Sequence, residues 1–160
     1  MKKKSFTIGL DLGGTKLASA LLDDDGNIID FIKIPVEMSK EGSPLKTQKR
    51  VLNLMSDICH DFKKRYPKET EGKYFKGVGL ASAGPLDTEK GLLINPINFP
   101  GWKKVAIRDS LKEELFKQKI KTNVVFQNDA IAAALAEGTA PDCPAHSGGP
   151  VLYRRRTGPF

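Results

Sequence analysis

Three runs of alternating apolar residues fill the first 36 positions, and very little separates them. Phe6, Ile8, Leu10 and Leu12 recur at period two, so Ser5 to Leu12 reads as a strand with one buried face, stopped by Gly13-Gly14. A second run, about Lys16 to Leu22, meets the turn signal Asp23-Asp24-Asp25-Gly26-Asn27, and a third extends from Ile28 to about Val36. Connections this short leave no room for a crossover. The three strands must therefore form an antiparallel meander.

The period then changes. Val51, Leu54, Met55, Ile58, Cys59 and Phe62 lie on one helical stripe, which predicts a helix from about Pro44 to Tyr66 closed by Pro67. Gly77 to Ser82 reads as a fourth strand ending in the turn Ala83-Gly84-Pro85. Ile107, Leu111 and Leu115 mark a second helix over roughly Val105 to Lys117. Asn123 to Gln127 is a short fifth strand, and the alanine-rich stretch Ala130 to Glu137 is a good helix former. Alternating strands and helices in this half imply right-handed crossovers and parallel pairing. The expected class is α/β, with a mixed five-stranded sheet and flanking helices.

Beyond Gly138 the chain has a different character. All 20 lysines precede that point, whereas residues 139–160 hold Arg154, Arg155 and Arg156 and four of the ten prolines, with no helical or strand period. This reads as a disordered tail behind a lobe spanning residues 1–138. The switch from lysine to arginine suggests a reading-frame change or a fusion scar, with a natural proline-rich tail as the alternative.

A net charge of +7 raises the question of nucleic acid, but the basic residues are scattered among acids and no stretch interleaves arginine with aromatics. Nucleic acid is not an expected partner. Cys59 and Cys143 have no neighbours at metal-ligand spacing, which argues against a disulfide framework and a four-ligand zinc site. The apolar run behind Met1 to Lys4 is too short for an export signal, and no segment approaches the roughly 20 apolar residues of a membrane span. A cytoplasmic protein without a membrane partner is expected.

Candidate chemistry sits at the strand ends. In Asp11-Leu12-Gly13-Gly14-Thr15-Lys16 two glycines remove side chains that would keep a phosphate from the backbone, and Thr15 and Lys16 add a hydroxyl and a charge. Asp11 is suited to holding Mg²⁺ through water. A plain hairpin turn explains the same residues equally well. No G-x-x-x-x-G-K-[ST] occurs, and Gly77-Val78-Gly79-Leu80-Ala81-Ser82 has serine where a dinucleotide fingerprint needs its third glycine. Ala83-Gly84-Pro85 falls at the carboxyl edge of the sheet, where open α/β sheets bind ligands. Asn95 to Trp102 (NPINFPGW) offers amides and an indole suited to hydroxyl-rich ligands, although Trp102 is equally at home in a core. Asn128-Asp129 precedes the alanine-rich stretch, so either residue caps a helix. A carboxylate there also projects over the sheet, where it can accept a hydroxyl proton during phosphoryl transfer.

Together DLGGTK, GVGLASAGPLD, the loop ending in FPGW and NDAIAAALAE resemble the ROK family of bacterial sugar kinases and related repressors, over about Phe6 to Gly138. The resemblance implies an RNase H-like, actin/hexokinase-type ATPase fold, with this chain as the N-terminal of two lobes that close on ATP and sugar. It implies that Gly13, Gly14, Thr15 and Lys16 touch ATP phosphates and that Asp11 acts on Mg²⁺ through water. Gly84, Asn98 and Asn128 would contact sugar hydroxyls, with Asp129 as catalytic base. Glucokinases look closest, which implies conversion of glucose to glucose 6-phosphate with ATP in the full-length relative. Fructokinases and amino-sugar kinases share the motifs.

Family members continue with a larger lobe that carries a second phosphate loop, the adenosine pocket and a cysteine-histidine zinc site. None of these is recognisable here, and Cys143 and His146 read as tail residues, so this chain alone is expected to be inactive. Homo-oligomerisation of the full-length relative is left open. Two other readings stand beside the kinase: the sugar domain of a ROK-type repressor, and a non-functional truncated product. Repressors carry a helix-turn-helix module ahead of the sugar domain, and only Met1 to Lys4 precede the first strand, which favours the kinase.

Overall fold

In a computed structural model of the chain, residues 3–37 and 42–128 are described. Strand β1 (Phe6–Leu12) and strand β2 (Lys16–Asp23) pair antiparallel in unbroken register from Phe6 opposite Asp23 to Leu12 opposite Leu17. Strand β3 (Ile28–Pro35) continues the meander on the far side of β2. The turn between β2 and β3 is held by Asp23, whose carboxylate accepts from the Asn27 backbone N–H at 2.8 Å and from the Asn27 amide.

Helix α1 (Pro44–Arg65) starts where expected, with Pro44 in its first turn and the Ser43 hydroxyl accepting from the Lys46 N–H at 3.4 Å. At its other end Lys63, Lys64 and Arg65 complement the carbonyl end of the helix. Arg65 pairs with Asp30 of β3, and the Tyr66 hydroxyl donates to the same carboxylate at 3.0 Å, tying helix to meander. A 3-10 turn (Gly72–Tyr74) leads into strand β4 (Phe75–Ser82), which lies parallel to β1.

Between β4 and helix α2 (Ile107–Lys117) lies a small antiparallel sheet that periodicity does not reveal. It consists of β5 (Leu86–Asp87), β6 (Leu92–Ile94) and β7 (Lys104–Val105). Val105, expected to open the second helix, belongs to β7 instead. Strand β8 (Val124–Asn128) then pairs parallel to β4, giving the order β3-β2-β1-β4-β8. The mixed five-stranded sheet and its flanking helices are present as predicted.

The two faces of this sheet differ. Ile8, Leu10, Leu12, Leu17, Leu21, Val78, Leu80, Val124 and Phe126 are buried toward α1 and α2, which contribute Met55, Cys59, Phe62, Ile107, Leu111 and Leu115. Alternate residues on the opposite face are small: Gly9, Ala18, Ala20, Gly79 and Ala81 line a depression of about 530 Å³ with Phe31 and Val125 at its sides. The alanine-rich helix and the tail expected at residues 130–137 and 139–160 lie outside the described residues.

Candidate active site

The carboxyl ends of the three parallel strands form one row. Register places Leu12 of β1 beside Ser82 of β4, and Ser82 beside Asn128 of β8. The fully buried Ser82 hydroxyl donates to the Leu12 carbonyl at 3.2 Å, locking two strand ends together. This serine, which breaks the dinucleotide fingerprint, is thus inside a strand where a hydrogen bond is needed. Among the described residues two turns open from the row: 13–15 after β1 and 83–85 after β4.

Close approach requires glycine at 14 and makes the position of Gly84 tight. A Cβ on Gly14 would lie 2.8 Å from the Asn98 Cβ and 2.9 Å from the Asn98 carbonyl oxygen, distances that real side chains do not show. A Cβ on Gly84 would lie 3.3 Å from the Asn128 amide nitrogen. The DLGGTK turn therefore carries the loop of Asn98, and the Ala83-Gly84-Pro85 turn carries Asn128. Four segments far apart in sequence meet at one sheet edge.

Within the first turn, the Gly13 N–H donates to the Lys16 carbonyl at 2.9 Å, and the Thr15 carbonyl accepts from the Val36 N–H at 2.8 Å. Gly13 therefore spends its N–H on the hairpin itself. The N–H groups of Gly14 and Thr15 make no hydrogen bond to another described residue, and the Thr15 and Lys16 side chains are exposed. What the turn can offer an anion is thus those two N–H groups, one hydroxyl and one ammonium. Asp11 is exposed one residue before the row, on the small-residue face, where it lines the depression with Gln127.

Asn98 is exposed on a loop whose base is rigid. Phe99 and Trp102 are buried at 1% and 3% exposure and stack with ring centroids 4.7 Å apart. Trp102 is a core residue, and the alternative reading of it as a ligand-facing indole is corrected: the ring anchors the loop so that Asn98 can be presented. Gly101 of the same loop packs against Pro44 at the start of α1. The structure thus brings Gly13, Gly14, Thr15, Lys16, Gly84, Asn98 and Asn128 to one edge, with Asp11 on the adjoining face. Asp129 lies outside the described residues, directly after Asn128.

A model of the ROK family matches residues 7–143. The chain belongs to the ROK family. It is 30% identical over 131 residues to a glucokinase of Halalkalibacterium halodurans, which covers 81% of this chain and 35% of that relative. Its fold superposes on a ROK family glucokinase from Streptomyces griseus, solved in complex with glucose and AMPPNP, with a TM-score of 0.56 and 26% identity over 85% of this chain and 37% of that one. A xylose repressor of Bacillus spizizenii is 26% identical over 136 residues, covering 85% of this chain and 31% of the repressor. This ROK chain thus spans about a third of the length of the relatives it matches. The likeness to the solved ROK glucokinase supports an α/β lobe of the actin/hexokinase-type ATPase fold. Among the described residues no helix is long and apolar enough to cross a membrane, and no cluster of three His, Cys, Asp or Glu side chains could hold a metal ion.

Proposed function

We propose that this ROK chain is the N-terminal lobe, residues 1–138, of a cytoplasmic ATP-dependent hexose kinase acting on glucose. The observation that carries the reading is the convergence of the Gly14–Asn98 and Gly84–Asn128 contacts on one strand edge. A domain that only binds sugar needs this turn as a hairpin and has no further use for its exposed N–H groups, hydroxyl and ammonium. A phosphoryl-transfer enzyme has, because positioning and charge stabilisation do most of its work.

In this reading the turn Gly13, Gly14, Thr15 and Lys16 orients the phosphates of ATP, through the Gly14 and Thr15 N–H groups and the Lys16 ammonium. Asp11 would hold Mg²⁺ through water, and that ion would supply neutralisation of phosphate charge. Asn98, Asn128 and the backbone at Gly84 fix the sugar by hydrogen bonds to its hydroxyls. Asp129, at the step after Asn128, takes the proton of the attacking hydroxyl.

The test uses the protein with a second lobe restored. ADP release is measured with ATP, Mg²⁺ and glucose, fructose, mannose or N-acetylglucosamine in turn. Stimulation by glucose is expected, and Asp129→Asn should lower turnover about a hundredfold or more with sugar binding nearly unchanged. Absence of stimulation by every hexose, with sugar binding retained, would instead support the repressor-type reading that the xylose repressor relative raises.

A further inference from the structure

The sheet has a second end, and five lysines gather there. Lys63 from α1, Lys76 from β4, Lys112 from α2, and Lys119 and Lys121 from the segment before β8 line one cavity of about 610 Å³. Lys76 opens β4 and Lys121 precedes β8, so the cavity lies at the amino ends of the strands. Lys76 lies six positions before Ser82 along β4, about 20 Å from the candidate active site.

Among the described residues one carboxylate faces this cavity. Glu71 pairs with Lys63 at 3.4 Å, and Lys63 also donates to the Lys119 carbonyl at 3.2 Å. Lys76 reaches only the Lys73 carbonyl, at 3.4 Å. Lys112, Lys119 and Lys121 have exposed side chains and make no ion pair among the described residues. Four ammonium groups are thus left around one depression without a counter-charge.

Helix ends account for part of this and not for the rest. Lysines in the last turn of α1 complement its carbonyls, and Lys63 is one of them. Lys76 is on a strand, Lys121 in a connection, and Lys112 in the middle of α2, where no terminal carbonyl needs a cation. Lys119 is a helix-end residue as well. Lys119 has φ of 59°, the left-handed position just past α2 that glycine fills without steric cost. Its N–H donates to the Phe116 carbonyl and that of Ile120 to the Leu115 carbonyl, the ordinary left-handed stop of a helix, which here sets an ammonium at the cavity.

We propose that this cavity binds a small polyanion of the oligophosphate class, separately from the candidate active site. Flexible ammonium groups serve phosphate as point charges, and several of them around a shallow cavity suit a compact ligand of multiple negative charge. Thr122 and Asn123, also in the lining, supply a hydroxyl and an amide for phosphate oxygens.

Tripolyphosphate is the probe, titrated into the 160-residue chain by calorimetry and by amide NMR shifts at two salt concentrations. Expected are shifts at Lys76 and across Lys119 to Asn123, with affinity falling as salt rises. The combined variant Lys76→Gln, Lys112→Gln, Lys121→Gln should weaken binding roughly tenfold, the product of three exposed charge contributions. Lys119→Gly should raise the melting temperature while weakening binding, because glycine suits the left-handed position and the ammonium is lost. A second combined variant on the outer face of α1, Lys46→Gln, Lys49→Gln, Arg50→Gln, removes the same charge elsewhere and should leave binding nearly unchanged. Equal weakening by both sets would show attraction to net charge alone and overturn the proposal. Shifts confined to Gly13 to Lys16, or a stabilised Lys119→Gly that binds as well as wild type, would overturn it too.

Discussion

Gly14→Ala places one methyl group where the structure has no room for it. Its Cβ would stand 2.8 Å from the Asn98 Cβ and 2.9 Å from the Asn98 oxygen, against the roughly 3.5–4.0 Å of an ordinary contact. The backbone at Gly14 is not in the left-handed region, so the clash alone sets the effect. Forcing a methyl into packed space costs about 1–3 kcal/mol. At about 3–5 °C per kcal/mol for a domain of this size, the melting temperature should fall by roughly 3–15 °C. The neighbour that must yield is backbone, so the loop 95–102 has to move, and that loop holds the single tryptophan of the chain. Trp102 fluorescence should therefore shift to the red at temperatures where the fold is intact. Gly79→Ala is the control: a Cβ there meets nothing within 4 Å, and it should stabilise by about 0.4–1 kcal/mol through the unfolded state. Melting curves and emission spectra of the two variants decide the matter. A Gly14→Ala protein with the wild-type melting temperature and emission maximum would refute the packing of this turn against Asn98.

The Lys4–Asp23 pair, 2.5 Å apart, makes stability depend on acid. The hydrogen bond from Lys4, with those from Asn27, holds the Asp23 carboxyl well below the ordinary carboxylate range. Its contribution is complete above the unfolded value near 3.9 and is lost as pH falls from there toward the folded one. Lys4 is raised by its hydrogen bonds to Asp23 and Asp25, so its share is complete below about pH 10.4 and lost only as pH rises through the raised value. The gap in urea midpoint between wild type and Lys4→Gln should be widest near pH 7 and close toward pH 2.5; a constant gap would count against the pairing. Burial pushes the Cys59 thiol up to about 12, so in a Cys143→Ser background an aromatic disulfide reagent should label it no faster than the chain unfolds. Labelling that tracks reagent concentration under native conditions would show that α1 opens locally.

The large elements were legible because each carries a period that burial enforces. Leu10 and Leu12 alternate with Gly9 and Asp11 since the sheet has one covered and one open face. The α1 stripe from Val51 to Phe62 reappears as the buried side of that helix. The second sheet was not legible, because β5, β6 and β7 have two or three residues each and no period can be read over so short a span. The site was legible as a set of motifs and not as an arrangement. Nothing in the spacing of Gly14 and Asn98 says that they touch, since the contact is made by two turns that fold back from different elements.

The arrangement also explains why turns rather than side-chain-rich loops carry this edge. Parallel strands place Leu12, Ser82 and Asn128 side by side whatever follows them, and the Ser82 hydroxyl fixes β1 to β4 at that level. Each turn begins from a ledge that cannot slide. A turn on such a ledge gains precision only if its neighbour can come close, which glycine at 14 and 84 permits. Rigidity on the far side comes from the Phe99–Trp102 stack, so the Asn98 backbone is held between the hairpin and the core. Hydrogen-bonding groups held in that way suit a hydroxyl-rich ligand, for which orientation matters more than apolar area.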